Sequence, residues 1–144
     1  MYRPALVLLA ICIFSYPVLT QQQAPSRSSG YAVVPVEAAK QANPVKASPD
    51  SLARAKKWWM LDCEMCHGKA GDGKGETAVE MKLAMVDFTK PDTLKEHTDG
   101  ELFYVIENGH NEMPAEGPRV KAEQAWDLVN YVRSLVKTKD TDTK

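Results

Sequence analysis

Residues 63–75 read Cys-Glu-Met-Cys-His-Gly-Lys-Ala-Gly-Asp-Gly-Lys-Gly, and this stretch decides the fold. Two cysteines, Cys63 and Cys66, are separated by two residues, and His67 follows the second one directly. Apolar residues at helical spacing precede them and predict a helix over about 49–66. The glycines that follow end this helix in a loop. The stretch therefore predicts two thiols and an imidazole at the end of a helix.

The pattern of Cys63, Cys66 and His67 is the one by which haem is attached covalently to a protein. Residues three and four apart on a helix share a face, so both thiols can reach one edge of a porphyrin and add to its two vinyl groups. The imidazole, four residues after the first cysteine, can then bind the iron. The pattern predicts one covalently attached haem c, with both cysteines as its attachment points and His67 as an axial ligand of the iron.

Four other interpretations of the motif are weaker. A redox-active dithiol needs a strand before the cysteines and further strands beyond them, which this sequence does not predict. A structural zinc site needs four protein ligands, and only His97 and His110 remain to complete one. A plain disulfide leaves His67 and the glycines without a role. Chance occurrence of the five-residue pattern in an exported chain is rare.

The second axial ligand is predicted in an irregular stretch, residues 109–117, between two predicted helices. Met113 precedes Pro114 there, and the proline removes a backbone donor and stiffens the loop. A thioether is a soft ligand, and pairing it with histidine raises the reduction potential of a haem. Met113 is therefore the predicted ligand. Met85 and His110 are alternatives, although methionine commonly fills gaps in cores, and a second histidine would lower the potential.

Helices are predicted over four stretches, at about 49–66, 77–85, 98–108 and 121–137. Ser48 as N-cap and Pro49 in the first position begin the first helix. Thr98 and Glu101 form a capping box for the third. His97, just before this box, is predicted to be a surface or capping histidine. No stretch predicts a strand, so the fold class is all-α.

The first 47 residues are predicted to lie outside the domain. Arg3 and the apolar run after it are typical of a signal peptide over 1–20, since the run of about 15 residues is shorter than a membrane-spanning helix. An uncleaved membrane anchor is the alternative. Residues 21–47 are rich in Gln, Ala, Ser and Pro, which predicts a disordered linker. The domain is expected over 48–138, with a disordered tail over 139–144.

Residues 48–138 resemble a class I cytochrome c. The resemblance rests on the haem motif with Gly68 and the glycines after it, on Val86-Asp-Phe-Thr89, on Met113-Pro114 after Gly109, and on Trp126-Asp-Leu-Val-Asn-Tyr-Val-Arg-Ser-Leu135. It implies a cytochrome c-like fold of three to four helices around one covalently bound haem, exposed along one edge. It also implies that the first and last helices cross near the haem. The crossing would pair a small residue with an aromatic one, Ala53 or Ala55 with Trp126 or Tyr131.

The chain departs from the family at one position. The family usually has a proline after the haem motif whose carbonyl orients the axial imidazole, but no proline occurs between His67 and Lys90. Histidines that bind metals nearly always donate their other ring N–H to such a partner. Another carbonyl within residues 68–75 is therefore predicted to accept this hydrogen bond.

The predicted function is that of an exported one-electron carrier and not of an enzyme. A haem with histidine and methionine as axial ligands has no open position for a substrate, so electrons pass by outer-sphere transfer to and from redox proteins, namely a dehydrogenase, an oxidase or another cytochrome. A dedicated subunit of a dehydrogenase or oxidase complex is one alternative, and a haem-based ligand sensor is another.

Charge and the N-terminus bear on partners and location. The formal net charge of −1 gives no sign of nucleic-acid binding. A local positive rim for redox partners is predicted from four lysines near the haem motif: Lys56, Lys57, Lys69 and Lys74. The signal peptide predicts a periplasmic location. If it is retained, the protein is anchored in the membrane and faces the periplasm.

Overall fold

The computed structural model describes residues 32–137. In this range the helices are α1 (Val36–Ala39), α2 (Pro49–Trp58), α3 (Glu64–His67), α4 (Glu76–Glu80), α5 (Asp99–Asn108) and α6 (Ala122–Ser134), and a π-helical turn, Trp59–Cys63, joins α2 to α3. The range contains no strand, only an isolated bridge between His110 and Met113. The predicted all-α fold is confirmed. None of the helices in 32–137 is long and apolar enough to cross a membrane.

The termini of the two best-marked helices follow the predicted caps. At the start of α2, the Ser48 hydroxyl accepts a hydrogen bond from the Ser51 N–H, and the Ser51 side chain accepts one from the Ser48 N–H. At the start of α5, Thr98 and Glu101 form the predicted reciprocal pair. These bonds satisfy N–H groups that have no partner within the helix. The helix predicted over 77–85 is shorter than expected, because Lys82 adopts a left-handed φ of 54° just beyond α4.

Helices α2 and α6 pack against each other and form the centre of the core. Ala55 of α2 is fully buried in a cluster with Leu128 and Val132 of α6, and Tyr131 packs against this cluster. The crossing therefore uses Ala55 and not Ala53, which is exposed. A small residue at this position lets the two helix backbones approach closely.

Trp126, the other aromatic residue considered for the crossing, connects α6 to α5 instead. Its ring stacks on Phe103 with a centroid distance of 3.9 Å and an interplanar angle of 10°. Trp126 is buried. Helix α6 therefore packs against both α2 and α5 and lies between them in the core.

A charged pair also connects α2 to α6. The Asp127 side chain is fully buried, and Arg54 donates to both of its carboxylate oxygens, at 2.8 Å from Nε and 3.1 Å from Nη2. This two-bond geometry compensates the carboxylate for the water that burial removes. It fixes the rotation of one helix relative to the other.

The prediction of a disordered linker over 21–47 is wrong for residues 36–45. Helix α1 packs against α5, and the Thr98 hydroxyl donates to the Ala39 carbonyl at 2.7 Å. Asn43 donates to the Asn130 side chain of α6 at 3.0 Å. Composition predicted disorder because the segment has few large apolar residues, but polar contacts with distant helices order it. The predicted signal peptide over 1–20 and the predicted tail over 139–144 lie outside the described residues.

Candidate functional site

The helix that carries the two cysteines is not the regular helix predicted over 49–66. Between Trp59 and Cys63 it widens into a π turn, in which the Glu64 N–H donates to the Trp59 carbonyl five residues earlier. A π turn holds an extra residue, so it rotates the side chains that follow it, and such turns are frequent at functional sites. The sequence contains no local signal for this widening. Its effect is to set the direction in which the haem motif projects from α2.

The glycines after the motif fold back and close the end of α3. The Gly73 N–H donates to the His67 carbonyl at 2.8 Å, and the Gly75 N–H donates to the Cys66 carbonyl at 3.2 Å. A Cβ at Gly75 would lie only 2.3 Å from the Met65 carbonyl oxygen. The glycines therefore allow a close backbone contact that fixes the end of the helix and, with it, the motif.

Two aromatic rings hold the imidazole of His67. Trp59 lies on one side with a ring-centroid distance of 5.7 Å, and Phe88 stacks against the imidazole at 5.2 Å. Phe88 is fixed by its own N–H, which donates to the Gly71 carbonyl at 2.8 Å. Burial lowers the pKa of His67, which favours the neutral imidazole that can bind a metal. The sequence analysis did not identify this role of Trp59.

The predicted hydrogen bond from His67 to a carbonyl within residues 68–75 does not form. The imidazole Nδ1 is buried and has no hydrogen-bond partner among the described residues. The carbonyl of Gly68, which lies within the predicted stretch, accepts a hydrogen bond from the Trp59 indole at 3.2 Å. A buried polar atom without a partner is uncommon. Because the predicted hydrogen bond would come from the ring nitrogen that does not bind the iron, its absence leaves the contacts with Trp59 and Phe88 to orient the imidazole.

All four predicted site residues line one cavity of about 1410 Å³, namely Cys63, Cys66, His67 and Met113. Sites for small molecules are usually smaller, at roughly 300–1,000 Å³. Much of the remaining wall is apolar, with Leu83, Val86, Leu94, Leu102, Val105 and Ile106. The cavity therefore has the size and the apolar walls that a haem requires, with thiols and an imidazole at its boundary.

A tight turn presents Met113 to the cavity. The His110 N–H donates to the Met113 carbonyl at 3.0 Å, and the Met113 N–H donates to the His110 carbonyl at 2.9 Å. Gly109 makes the turn possible, because its φ is +72° and a Cβ there would lie 2.5 Å from the Met113 carbonyl oxygen. The two alternative ligands, Met85 and His110, also line the cavity. The structure thus brings all three candidates to the same space.

His97 also lines the cavity and is partly buried, so its interpretation as a surface residue is wrong. Its Nδ1 lies 3.4 Å from Glu101 Oε2, the oxygen that caps α5. The other part of the prediction, a residue associated with the cap, agrees with this contact.

The chemistry of the two cysteines differs from that of a redox-active pair. Both are free cysteines, and burial raises the pKa of Cys63 to about 12, with further increases from the nearby charges of Glu116 and Asp62. Reactive dithiols have a lowered thiol pKa. Within residues 32–137 no group of three or more His, Cys, Asp or Glu side chains is placed to hold a metal ion. The raised pKa of the Cys63 thiol therefore argues against a redox-active pair.

An ion-pair network that the sequence did not reveal connects the two sides of the cavity. Arg119 donates to both carboxylate oxygens of Glu116, at 2.6 and 2.7 Å, and its Nη1 lies 3.0 Å from Asp62 Oδ1. Glu116 is only 4% exposed. Because Asp62 directly precedes Cys63 and Glu116 follows Met113, this network joins the haem motif to the methionine loop. No periodicity or motif marks these three residues.

Comparisons with known proteins agree with this geometry. The family described as cytochrome C oxidase, cbb3-type, subunit III matches residues 50–132. No curated protein matches the chain. Among solved structures, the chain is similar to the Kuenenia stuttgartiensis reducing HAO-like protein complex Kustc0457/Kustc0458, with a TM-score of 0.58 and 26% identity over 65% of this chain. It spans 47%, about half, of the length of that chain.

A second solved structure, the KustC0563 c-type cytochrome, shares the fold, with a TM-score of 0.52 and 23% identity. That similarity covers 58% of this chain and 98% of the other. The family match covers more than half of the chain, and the cavity with its two thiols and buried imidazole fits the cofactor of such proteins. This chain therefore belongs to the cytochrome C oxidase, cbb3-type, subunit III family and is a c-type cytochrome with covalently bound haem c.

Proposed function

We propose that the protein is an exported monohaem electron carrier in which haem c is attached through Cys63 and Cys66 and the iron is bound by His67 and Met113. The observation that carries the proposal is that these four side chains line one cavity of about 1410 Å³. When bound, haem c supplies a one-electron couple between ferrous and ferric iron. The proposal includes a periplasmic location or, if the N-terminal segment is retained, a membrane anchor facing the periplasm.

The protein's part in electron transfer is to hold its ligands still and to exclude water. Trp59 and Phe88 contact the imidazole of His67 from two directions and limit its movement. The apolar wall lowers the local dielectric constant, which raises the free energy of the more highly charged ferric state and therefore raises the reduction potential. A rigid, dry site also keeps the structural change between the two redox states small.

Loop geometry favours Met113 over Met85 as the second ligand. Two backbone hydrogen bonds with His110 and the close contact at Gly109 fix the Met113 backbone. Pro114, which directly follows Met113, further restricts the backbone there. Met85 lies in the irregular segment after α4 and has no comparable turn. A fixed backbone lowers the entropy that a weak ligand loses on binding to the iron.

An apolar surface beside the haem motif supports docking by a redox protein. Three large apolar side chains on the helix that carries the motif are exposed: Met60, Leu61 and Met65. Lys56, Lys57 and Lys69 are exposed on either side of them. Apolar contact area with charges at its rim is typical of protein interfaces, and the lysines would steer a partner with an acidic surface.

The second candidate function is that of a dedicated subunit of a dehydrogenase or oxidase complex. The family's description names an oxidase subunit, and one of the similar structures is a protein complex. Gel filtration of the mature protein with a candidate partner separates the two functions. A carrier elutes alone at micromolar concentration, whereas a subunit co-elutes.

Optical spectroscopy tests the proposed site. The chain is produced with a c-type haem maturation system, and spectra are recorded before and after denaturing extraction of haem. We expect haem to remain with the denatured chain and the oxidised protein to show the weak sulfur-to-iron absorption band. Met113→Ala should abolish this band, and the matched variant Met85→Ala should keep it. Haem that extracts freely, or a band that depends on Met85, would overturn the assignment.

A further inference from the structure

We infer that residues 32–45, here called the N-terminal strap, form one wall of the haem crevice. The strap precedes the family match, which begins at residue 50. Six of its residues line the cavity that contains the haem motif: Ala32, Val33, Val34, Val36, Ala39 and Lys40. The inference rests on the proposed haem site, because it identifies this cavity as the place where haem binds.

The middle of the strap is fixed to the start of α5. The Thr98 hydroxyl, which caps that helix, donates to the Ala39 carbonyl at 2.7 Å. Next to it, Gly100 contacts the strap so closely that a Cβ would lie 2.1 Å from the Ala38 carbonyl oxygen. A backbone contact of this kind requires glycine, so α5 carries a residue that accommodates the strap.

The end of the strap is fixed to α6. Asn43 donates to the Trp126 carbonyl at 3.1 Å and to the Asn130 side chain at 3.0 Å. Asn130 in turn donates to the Val45 carbonyl at 2.9 Å. The two attachments hold the residues between them against the haem domain. They join residues 59 apart at α5 and more than 80 apart at α6.

Two valines of the strap are left largely uncovered by the residues that the structure describes. Val33 is 88% exposed and Val36 is 61% exposed, although both line the cavity. A porphyrin in the cavity would bury these valines and offset the free energy lost by exposing them to water. The strap and the porphyrin would thus bury each other's apolar surface. Together with the polar contacts to α5 and α6, this burial explains why a segment of low hydrophobicity is ordered.

The strap then has two effects on the haem. It excludes water from the side of the cofactor that faces α5, which raises the reduction potential. It also leaves the surface beside Cys63 and Cys66 as the accessible face, so partners would approach from that side.

The test compares the full-length holoprotein with a double variant, Val33→Asn with Val36→Asn, and with the control Val79→Asn. Val79 is 65% exposed, and it does not line the cavity. None of the substitutions changes the charge. We expect the double variant to lower the reduction potential while Val79→Asn leaves it at the parent value. Equal potentials in all three proteins would overturn the inference and place both valines against solvent or a partner.

A second measurement follows the opening of the strap through trypsin cleavage after Lys40. Asn43→Ala removes the two bonds from the Asn43 side chain to α6 and should raise the cleavage rate of the folded holoprotein about fivefold for each hydrogen bond lost. The control Asn108→Ala removes only a bond within α5 and should leave the rate unchanged. An unchanged rate in Asn43→Ala would contradict the attachment. Haem that leaves the denatured parent protein would instead refute the proposed haem site, so the two failures are distinguishable.

Discussion

The two walls of the cavity are held in different ways. The attachment wall, residues 49–75, is one continuous segment in which many hydrogen bonds join near neighbours, such as Gly73 with His67 and Gly75 with Cys66. The pair of Arg54 with Asp127 forms a long-range contact between this wall and α6. The facing wall combines the strap with the methionine loop, and contacts between distant residues hold it, such as Arg119 with Asp62 and Asn43 with Asn130. Long-range contacts at a surface open at lower free energy than a packed helix. We therefore expect the facing wall, which carries the proposed ligand Met113, to open more readily than the attachment wall, which carries Cys63 and Cys66.

The largest effect is expected from breaking the attachment wall at its sulfurs. Replacing Cys63 and Cys66 together by alanine removes both thioether bonds, so no haem should remain with the denatured protein. Met65 lies between the two cysteines and its side chain is exposed, so the matched variant Met65→Ala should keep its haem. Haem content after denaturation, measured by the absorbance of its pyridine complex, checks both. Haem retained by the double variant would contradict the attachment.

Weakening the support of the imidazole should produce the next largest effect. Trp59→Ala removes a buried ring from the core and should lower the free energy of unfolding by about 3–5 kcal/mol. Trp59→Phe keeps a ring beside His67 and loses mainly the hydrogen bond to the Gly68 carbonyl, worth about 1 kcal/mol. Urea unfolding followed by circular dichroism measures both. Equal losses in the two variants would show that the ring itself does not support the imidazole.

Separating the two walls should have a smaller and more local effect. Arg119→Gln leaves the buried carboxylate of Glu116 without its cation and should lower the free energy of unfolding less than Trp59→Ala does, since Arg119 is half exposed and solvent screens part of the interaction. Under increasing urea, the sulfur-to-iron band of this variant should disappear before the helical signal does. Arg119→Lys keeps the charge but cannot form both hydrogen bonds in the same geometry. Its sulfur-to-iron band should disappear at a urea concentration between those of Arg119→Gln and the parent protein. Simultaneous loss of both signals would argue against an independently opening wall.

The smallest effect is expected for the pH dependence of stability that comes from Asp87, the residue before Phe88. A hydrogen bond from the Thr89 hydroxyl to Asp87 lowers the pKa of that carboxyl. Because the folded-state pKa lies below the unfolded one, this interaction contributes stability above the ordinary aspartate pKa, and the contribution is lost as the pH falls through the lowered value. Thr89→Val should return the Asp87 pKa towards its ordinary value in an NMR titration. Thr93→Val is the control, since its hydroxyl donates to the Asp87 backbone carbonyl and not to the carboxylate.

The attachment wall could be predicted from the sequence because its determinants are local. The five-residue haem motif and the Ser48 cap, which directly precedes this wall, each lie within a few neighbouring residues, and the structure contains the cap. The capping box of Thr98 and Glu101 on α5 is equally local and is also present. Met113 was marked by its proline, although its role as a ligand stays a prediction.

The facing wall could not be predicted because its contacts join residues that no local pattern relates. Asn43 and Asn130 are 87 residues apart, and polar contacts of this kind leave no trace in composition. The π turn at Trp59–Cys63 is local, but helical spacing does not distinguish it from a regular turn. The hydrogen bond expected from His67 to a carbonyl within residues 68–75 does not form, and the Gly68 carbonyl accepts one from the Trp59 indole.

The most direct test of the arrangement in which each wall supplies one axial ligand is an NMR spectrum of the reduced holoprotein with labelled methionine methyl groups. A methyl group bound above the porphyrin plane is shifted far upfield by the ring current. We expect one such signal, absent in Met113→Ala and retained in Met85→Ala. A shifted signal that disappears with Met85 instead, or no shifted signal at all, would contradict the assignment of Met113 as the ligand from the facing wall.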